Sequence, residues 1–215
     1  MLVERIALTL SILSLSFLIS APIYVQQYTV LMITHILMYI IITVSWVIFS
    51  GPTGYISLGS AAFVGIGVYL AAELGDKLPF FVVVLVSGLL ASVLACVLGA
   101  FTLRLKGIYF AMFSFGLVEV ILNIVQWYKT NMTATVGLMV IPIDSRILYY
   151  MMAVVLIILM LLVFLLRRSK YGLALRSIGQ SEEAAEHIGV NTTALKIAVF
   201  AISAFFPAAA GAIIA

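Results

Sequence analysis

Residues 147–166, ILYYMMAVVLIILMLLVFLL, decide the fold of this chain. The run holds no charged residue, and arginines stand at both of its ends, Arg146 and Arg167. A helix rises about 1.5 Å per residue, so a run of this length matches the hydrocarbon core of a bilayer, about 30 Å thick. We therefore expect a transmembrane helix here, and the rest of the chain has the same character.

The composition excludes a soluble or a disordered protein. Of 215 residues, 65% are hydrophobic and 9% are charged, and the mean hydropathy is +1.30. Soluble domains run near 25% charged, and disordered segments are richer still in charge. The only cysteine, Cys96, allows no internal disulfide, and His35 and His187 lie far apart, so we expect no metal site. The lipid bilayer is the first expected partner, and we expect no nucleic-acid partner.

The apolar runs divide the whole chain, residues 1–215, into one all-α polytopic bundle. We expect about seven membrane spans, at residues 6–21, 28–50, 54–72, 79–103, 107–128, 147–166 and 197–215. The spans should be helices, because lipid offers no partner to an open backbone group. The first span could also be read as a signal peptide, but it lacks a small-x-small cleavage pair, so we expect it to be retained.

The lysines and arginines set the expected orientation. With the N-terminus cytoplasmic, eight of the eleven fall on inner segments and three on outer segments, which is the usual bias. The inner residues are Arg5, Arg104, Lys106, Arg167, Arg168, Lys170, Arg176 and Lys196. The outer residues are Lys77, Lys129 and Arg146. We expect a multi-pass protein of the plasma (inner) membrane.

Small residues at spacings of four predict where helices pack. The rows are Ser87, Ala91, Ala95, Gly99; Gly88, Ser92, Cys96, Ala100; Ser57, Ala61, Gly65; and Ala204, Ala208, Ala212. Such rows let helix backbones approach closely in lipid, so Cys96 is interpreted as a small packing residue.

Two features could line a translocation pathway. Residues 50–54 (SGPTG) should break the helix, with the next helix starting near Tyr55, either as a broken helix at a site or as a plain inner turn. An acid within a span should face the bundle interior with a partner or water, which makes Glu119 a candidate together with Asn123 on the same face. Both could equally be structural. The candidate pathway residues are Gly54, Ser57, Ser60, Glu119 and Asn123.

The inner loop, residues 167–196, predicts a short cytosolic helix. Ser181 can cap a helix whose first turn carries Glu182 and Glu183, and Gly189 suits a left-handed C-terminal cap. Asn191 or Thr192 can cap the next helix. A short rigid helix between two spans offers a surface through which another protein can push, although an ordinary solvated loop fits the local pattern equally.

Several blocks, in order over roughly residues 40–215, resemble the branched-chain amino-acid permease subunits (LivM/LivH type) of ABC importers. Residues 183–189 (EAAEHIG) look like the EAA-x-x-x-G loop, and residues 171–178 (YGLALRSI) are similar to the run before it. Residues 57–69 (SLGSAAFVGIGVY), 103–111 (LRLKGIYFA) and 116–119 (GLVE) match further blocks.

The resemblance implies a membrane subunit that moves branched-chain or related amino acids. It implies cytoplasmic ABC ATPase subunits, a second permease subunit and an extracytoplasmic solute-binding protein, which would meet the outer loop, residues 129–146. It also implies a coupling helix in the inner loop, with six residues acting toward the ATPase: Arg176, Glu182, Glu183, Ala184, Ala185 and Gly189. The sequence contains no Gly-x-x-x-x-Gly-Lys-Ser/Thr, so ATP should be bound by partner subunits and the chain itself should carry no cofactor and no enzyme activity.

The chain departs from the family pattern at several positions. The family usually has Gln at Tyr55, His at Ser60, Arg at Leu122 and Thr-Gly-Gly at residues 133–135. These positions lie near the expected pathway and outer loop, so the exact amino acid is left open. Family members also continue with further spans beyond Gly211, so we expect this chain to be C-terminally truncated.

Two other function classes are compatible with single features. A standalone secondary transporter or channel for a small polar solute could use Glu119. An intramembrane serine hydrolase could use Ser57 or Ser60 as nucleophile with His35 as base, although packing explains these serines as well.

Overall fold

The computed structural model describes residues 26–103, 105, 107–128, 130–131 and 143–215. They form eight helices. In chain order these are α1 (Gln27–Thr53), α2 (Ser60–Leu74), α3 (Phe80–Thr102), α4 (Ile108–Tyr128), α5 (Ser145–Arg168), α6 (Lys170–Gln180), α7 (Glu182–His187) and α8 (Thr192–Ile214).

The fold is the expected helical membrane bundle, but the described residues do not yield seven full-length spans. Five helices (α1, α3, α4, α5 and α8) are long and apolar enough to cross a membrane, and α2 is a shorter apolar helix of 15 residues. The expected first span, residues 6–21, lies outside the described residues. The expected span 54–72 is a short helix preceded by a non-helical segment, residues 54–59.

The junction between α1 and α2 differs from the prediction. The helix continues through Gly51 and Pro52 and ends at Thr53, followed by the capping residue Gly54, whose φ of +73° is left-handed. Pro52 has no N–H to donate to the carbonyl of Ile48, four residues earlier, and the helix ends one residue after it. The next helix begins at Ser60, not near Tyr55, because residues 54–59 are not helical.

Side chains of neighbouring helices form hydrogen bonds with the backbone of this non-helical segment. The N–H of Leu58 donates to Ser114 Oγ at 2.9 Å, and Trp46 Nε1 donates to the Ser57 carbonyl at 2.7 Å. Non-helical backbone is tolerated in a membrane protein only where protein groups or water replace the missing helical bonds. The break is thus hydrogen-bonded to neighbouring helices, with Tyr55, Ser57 and Gly59 buried and Ile56 and Leu58 exposed.

Helix α8 forms the centre of the bundle and packs against α1, α2, α3 and α5. Pro207 lies inside it and has no N–H for the carbonyl of Ser203, four residues earlier. Ser45 of α1 donates its hydroxyl to that carbonyl at 2.6 Å. Ser92 of α3 donates to the carbonyl of Ala201 at 2.9 Å. Hydrogen bonds from α1 and α3 therefore support α8 in the region where Pro207 removes one of its backbone hydrogen bonds.

The rows of small residues are confirmed in part. Ser87, Ala91, Ala95 and Gly99 are buried on α3, as are Ala204, Ala208 and Ala212 on α8. Close approach of α2 and α8 is made by Gly67, where an added Cβ would lie 2.0 Å from the Ala208 carbonyl oxygen.

Two of the four predicted rows are wrong in whole or in part. Cys96 is exposed, so it is not a packing residue. Ser57 precedes α2, Ala61 is exposed, and nothing lies within 4 Å of a Cβ built on Gly65. Four-residue spacing on a uniformly apolar helix cannot tell which face meets protein and which meets lipid.

Contacts identify the two ends of the bundle. At one end Gln27 of α1 donates to Ser145 of α5 at 3.0 Å. At the other end, residues 54–59, the end of α3 and helix α7 meet at Lys196. Of the described lysines and arginines, five belong to the second end (Arg167, Arg168, Lys170, Arg176 and Lys196) and two to the first (Lys77 and Arg146). This distribution makes the second end cytoplasmic.

Candidate functional site

Helix α7 at the cytoplasmic end forms as its sequence predicts. Ser181 caps it by accepting the N–H of Ala184 at 3.3 Å, and the two acids of its first turn lie at the positive end of the helix. Gly189 has a φ of +85°, and its N–H and that of Val190 bond back to the carbonyls of Glu186 and Ala185. This is a Schellman cap, which fixes where the helix ends.

The side chains of α7 divide between the bundle and the outside. Ala185 is buried against the bundle and Glu182 is half-buried. Glu183 and Ala184 are exposed, and Ile188 at the C-terminal end is 73% exposed. Ala184 and Ile188 form an apolar patch on an outer surface that also exposes Glu183, Glu186 and His187.

Glu182 anchors α7 to the bundle. Its carboxylate forms an ion pair with Lys196 of α8 and accepts a hydrogen bond from the Tyr55 hydroxyl at 2.7 Å. Lys196 was expected at the end of the loop, but α8 begins at Thr192, capped by Asn191, so Lys196 lies within the helix and is only 2% exposed. The sequence analysis predicted neither this ion pair nor the hydrogen bond from Tyr55 to Glu182.

The ammonium of Lys196 joins four segments of the chain. Besides Glu182, it donates to the Tyr55 hydroxyl at 3.3 Å and to the Leu103 carbonyl, at the end of α3, at 3.4 Å. It also lies 4.6 Å from the centre of the Tyr55 ring, within cation–π range. Burial, and then the hydrogen bond to Glu182, raise the pKa of Tyr55, so its hydroxyl stays protonated and donates.

An aromatic layer lies directly beneath the ion pair. The ring of Tyr55 meets Phe110 edge-on at 5.6 Å, and Phe49 packs against Phe200 with ring centres 5.0 Å apart. Phe200 is one helical turn beyond Lys196 on α8. The charged pair therefore packs against aromatic rings. In such apolar surroundings a buried ammonium requires its carboxylate partner.

Helix α6, which precedes α7, is fixed to the end of α1. A Cβ added to Gly179 would lie 2.2 Å from the Pro52 carbonyl oxygen, and one added to Gly172 would lie 2.2 Å from that of Leu166. Only glycine permits such contact. Arg176, on the same helix, is exposed and lines a cavity between α1, α5 and α6.

The candidate pathway residues fall into two groups. Ser57 is buried, and it lines a small cavity of about 10 Å³ together with Ser60. Gly54 is exposed at the end of α1. Glu119 and Asn123 line a separate concave surface on α4.

The expectation that Glu119 faces the interior of the bundle is wrong for this chain. Its side chain is exposed on α4, as is that of Asn123, whose amide donates to the Glu119 carbonyl at 2.8 Å. Helix α4 packs mainly against α2, and most of its surface is exposed in this chain. Helix α4 is long and apolar enough to cross a membrane, so its polar face requires water or another protein chain beside it.

The serine hydrolase hypothesis is contradicted by geometry. His35 lies near the first turns of α1, and its ring nitrogen contacts the Leu31 carbonyl at 2.9 Å. Ser57 and Ser60 lie beside Ser45 and Trp46, ten or more residues farther along that helix, which is about 15 Å from His35 at a rise of about 1.5 Å per residue. A base and its nucleophile must lie within hydrogen-bond reach.

Comparison with known proteins gives one match. A family model described as branched-chain amino acid transport system / permease component matches residues 28–215. No curated protein and no solved structure matches the chain.

Proposed function

Since the chain belongs to the family of branched-chain amino acid transport system permease components, we propose that it is the membrane subunit of an importer driven by partner ATPases. The observation that carries this proposal is the fixed, protruding helix α7. Its Glu183, Ala184 and Ile188 are free to enter a groove on an ATPase, while Ala185 and Glu182 hold it to the bundle.

The ion pair provides a route for mechanical work. A displacement of α7 acts on Glu182, which is bonded to Lys196 in the first turns of α8. Helix α8 packs tightly on α2 and α3, with Gly67 against Ala208, so its movement moves the centre of the bundle. Packed helices with small residues transmit displacement because they cannot compress. Closure of the ATPases would thereby switch the bundle between inward-open and outward-open states.

The polar face of α4 fits a second permease subunit. Glu119, Asn123 and Trp127 line a concavity of about 370 Å³ on a helix that is mostly unburied in this chain. Placed against a partner permease, these groups would line a pathway between two subunits, and lipid contact with a carboxylate would be avoided. Ser57, Ser60 and Gly54 would belong to its cytoplasmic end.

Partner subunits supply ATP hydrolysis and the capture of substrate outside the cell. ATP is bound by the ATPase subunits, since this sequence contains no P-loop motif. The solute-binding protein meets the outer connection, residues 129–146, and the substrates are branched-chain or related amino acids.

The test is uptake by proteoliposomes containing the full complex of this chain, its partner permease, ATPases and binding protein. Ala184→Phe should leave the fold of this chain intact, because Ala184 is exposed, yet reduce leucine uptake per ATP hydrolysed at least tenfold. Ala194→Phe is the matched control, since Ala194 is exposed in the first turn of α8 but lies outside α7. Equal uptake per ATP in both variants would contradict the coupling role of α7.

The same vesicles test the alternative of a standalone transporter. The proposal expects no uptake when the ATPases are omitted and an ion gradient is imposed. Uptake by this chain alone would favour the secondary-transporter reading and overturn the proposal.

A further inference from the structure

A cavity opens on the cytoplasmic half of the bundle, away from the coupling helix. It has a volume of about 560 Å³ and lies between α1, α5 and α6. Its α1 wall is the face of Thr43, Val47 and Gly51, spaced four residues apart, and its α5 wall includes Met160 and Val163. The volume falls within the range of small-molecule sites, about 300–1,000 Å³.

The lining changes from apolar to basic along the cavity. Within the described residues, its charged lining groups are Arg167, in the last turn of α5, and Arg176, on α6; no carboxylate lines it. Both arginines are exposed and lie at the cytoplasmic end, whereas Met160 and Val47 lie deeper along their helices. The site thus pairs two cations at headgroup level with an apolar groove at acyl-chain level.

Within the part of the chain that the structure describes, the cavity opens on an exposed apolar surface. Val47 and Met160 are exposed on α1 and α5, together with apolar neighbours such as Leu161 and Leu165. The polar face that demands protein contact is on α4, which packs against α2 and α3, not on the α1–α5 side. Basic pockets between membrane helices on the cytoplasmic side suit anionic lipid headgroups.

We infer that this cavity binds one anionic phospholipid, with its phosphate between Arg167 and Arg176 and an acyl chain along Val47 and Met160. The bound lipid would brace α6, the helix that carries α7. This inference stands on the cavity and its charges and does not require the proposed transport function.

The test is native mass spectrometry of the delipidated full-length chain, titrated with dioleoyl-phosphatidylglycerol or dioleoyl-phosphatidylcholine. We expect one tightly held phosphatidylglycerol and no comparable phosphatidylcholine. Each arginine near an anionic headgroup contributes a factor of about five, so R167Q/R176Q should bind roughly 25-fold more weakly. R168Q is the matched control, since Arg168 is adjacent but stacks on Phe164 at 4.3 Å and does not line the cavity.

A second pair of variants tests the groove itself. Val47→Trp should fill the cavity and abolish binding without changing charge, whereas Val93→Trp, on an exposed position of α3, should not. Met160→Trp replaces Val47→Trp if that variant does not fold. Equal binding of the two lipids, or binding retained in the filled variants, would overturn the inference.

Two further results would assign the cavity another occupant and would also overturn it. Glycerol 3-phosphate displacing the lipid completely would indicate a soluble-phosphate site. A disulfide from Val47→Cys to the partner permease in the assembled complex would indicate a protein interface.

Discussion

Replacing Glu182 by glutamine should lower the free energy of unfolding by far more than its position in a short helix outside the membrane spans suggests. The change keeps the side-chain shape but removes the charge that pairs with Lys196. The ammonium is then left with neutral acceptors alone: the Tyr55 hydroxyl, the Leu103 carbonyl and the amide oxygen of the new glutamine. Because Lys196 is only 2% exposed, water cannot replace the carboxylate.

The magnitude follows from the burial of the two partners. Removing one member of a buried ion pair costs about 3–5 kcal/mol. The Glu182 side chain is 17% exposed, which places the cost of Glu182→Gln near the lower limit, about 3 kcal/mol. Lys196→Met should cost less, about 2 kcal/mol, since the remaining carboxylate keeps the Tyr55 hydroxyl and some water. The double variant should cost less than the sum, with a coupling of about 2 kcal/mol.

The measurement is reversible unfolding in mixed micelles, followed by far-ultraviolet circular dichroism, for the two single variants and the double variant. Glu183→Gln is the matched control, because Glu183 is the exposed neighbour in the same helical turn, and it should lie within about 0.5 kcal/mol of the parent. Equal effects of Glu182→Gln and Glu183→Gln, or strict additivity in the double variant, would refute the reasoning.

Three other substitutions test the packing that supports the site, each by the same unfolding measurement. Ser45→Ala should cost about 1–2 kcal/mol by leaving an α8 carbonyl unpaired, and should cost little in a Pro207→Ala background, where the restored N–H takes that carbonyl; an equal cost in both backgrounds would contradict this account. Gly67→Ala should cost about 1–3 kcal/mol because its Cβ meets α8 backbone, whereas Gly65→Ala, with open space around it, should cost nothing measurable. Gly189→Ala should cost about 1 kcal/mol and speed amide exchange in α7, since its φ is +85°; unchanged exchange would count against the cap.

The sequence by itself determined the membrane class, most of the spans and the short helix α7 between α6 and α8. Lipid tolerates only closed hydrogen bonding, so a long uncharged run has few possible structures. The caps of α7 are equally local, because Ser181 and Gly189 each act on backbone groups within a few residues. The resemblance to the permease family came from ordered blocks of sequence, and the family match extends over residues 28–215.

Only the tertiary structure decided which face of each helix meets protein. On a uniformly apolar helix every face reads alike, so the exposure of Cys96 and Glu119 depends on neighbours far away in sequence. The pairing of Glu182 with Lys196 under the Tyr55 hydroxyl joins segments up to 141 residues apart. Side-chain chemistry could nominate each of these residues, but their meeting follows from how α8 packs among α1, α2 and α3, which no local spacing records.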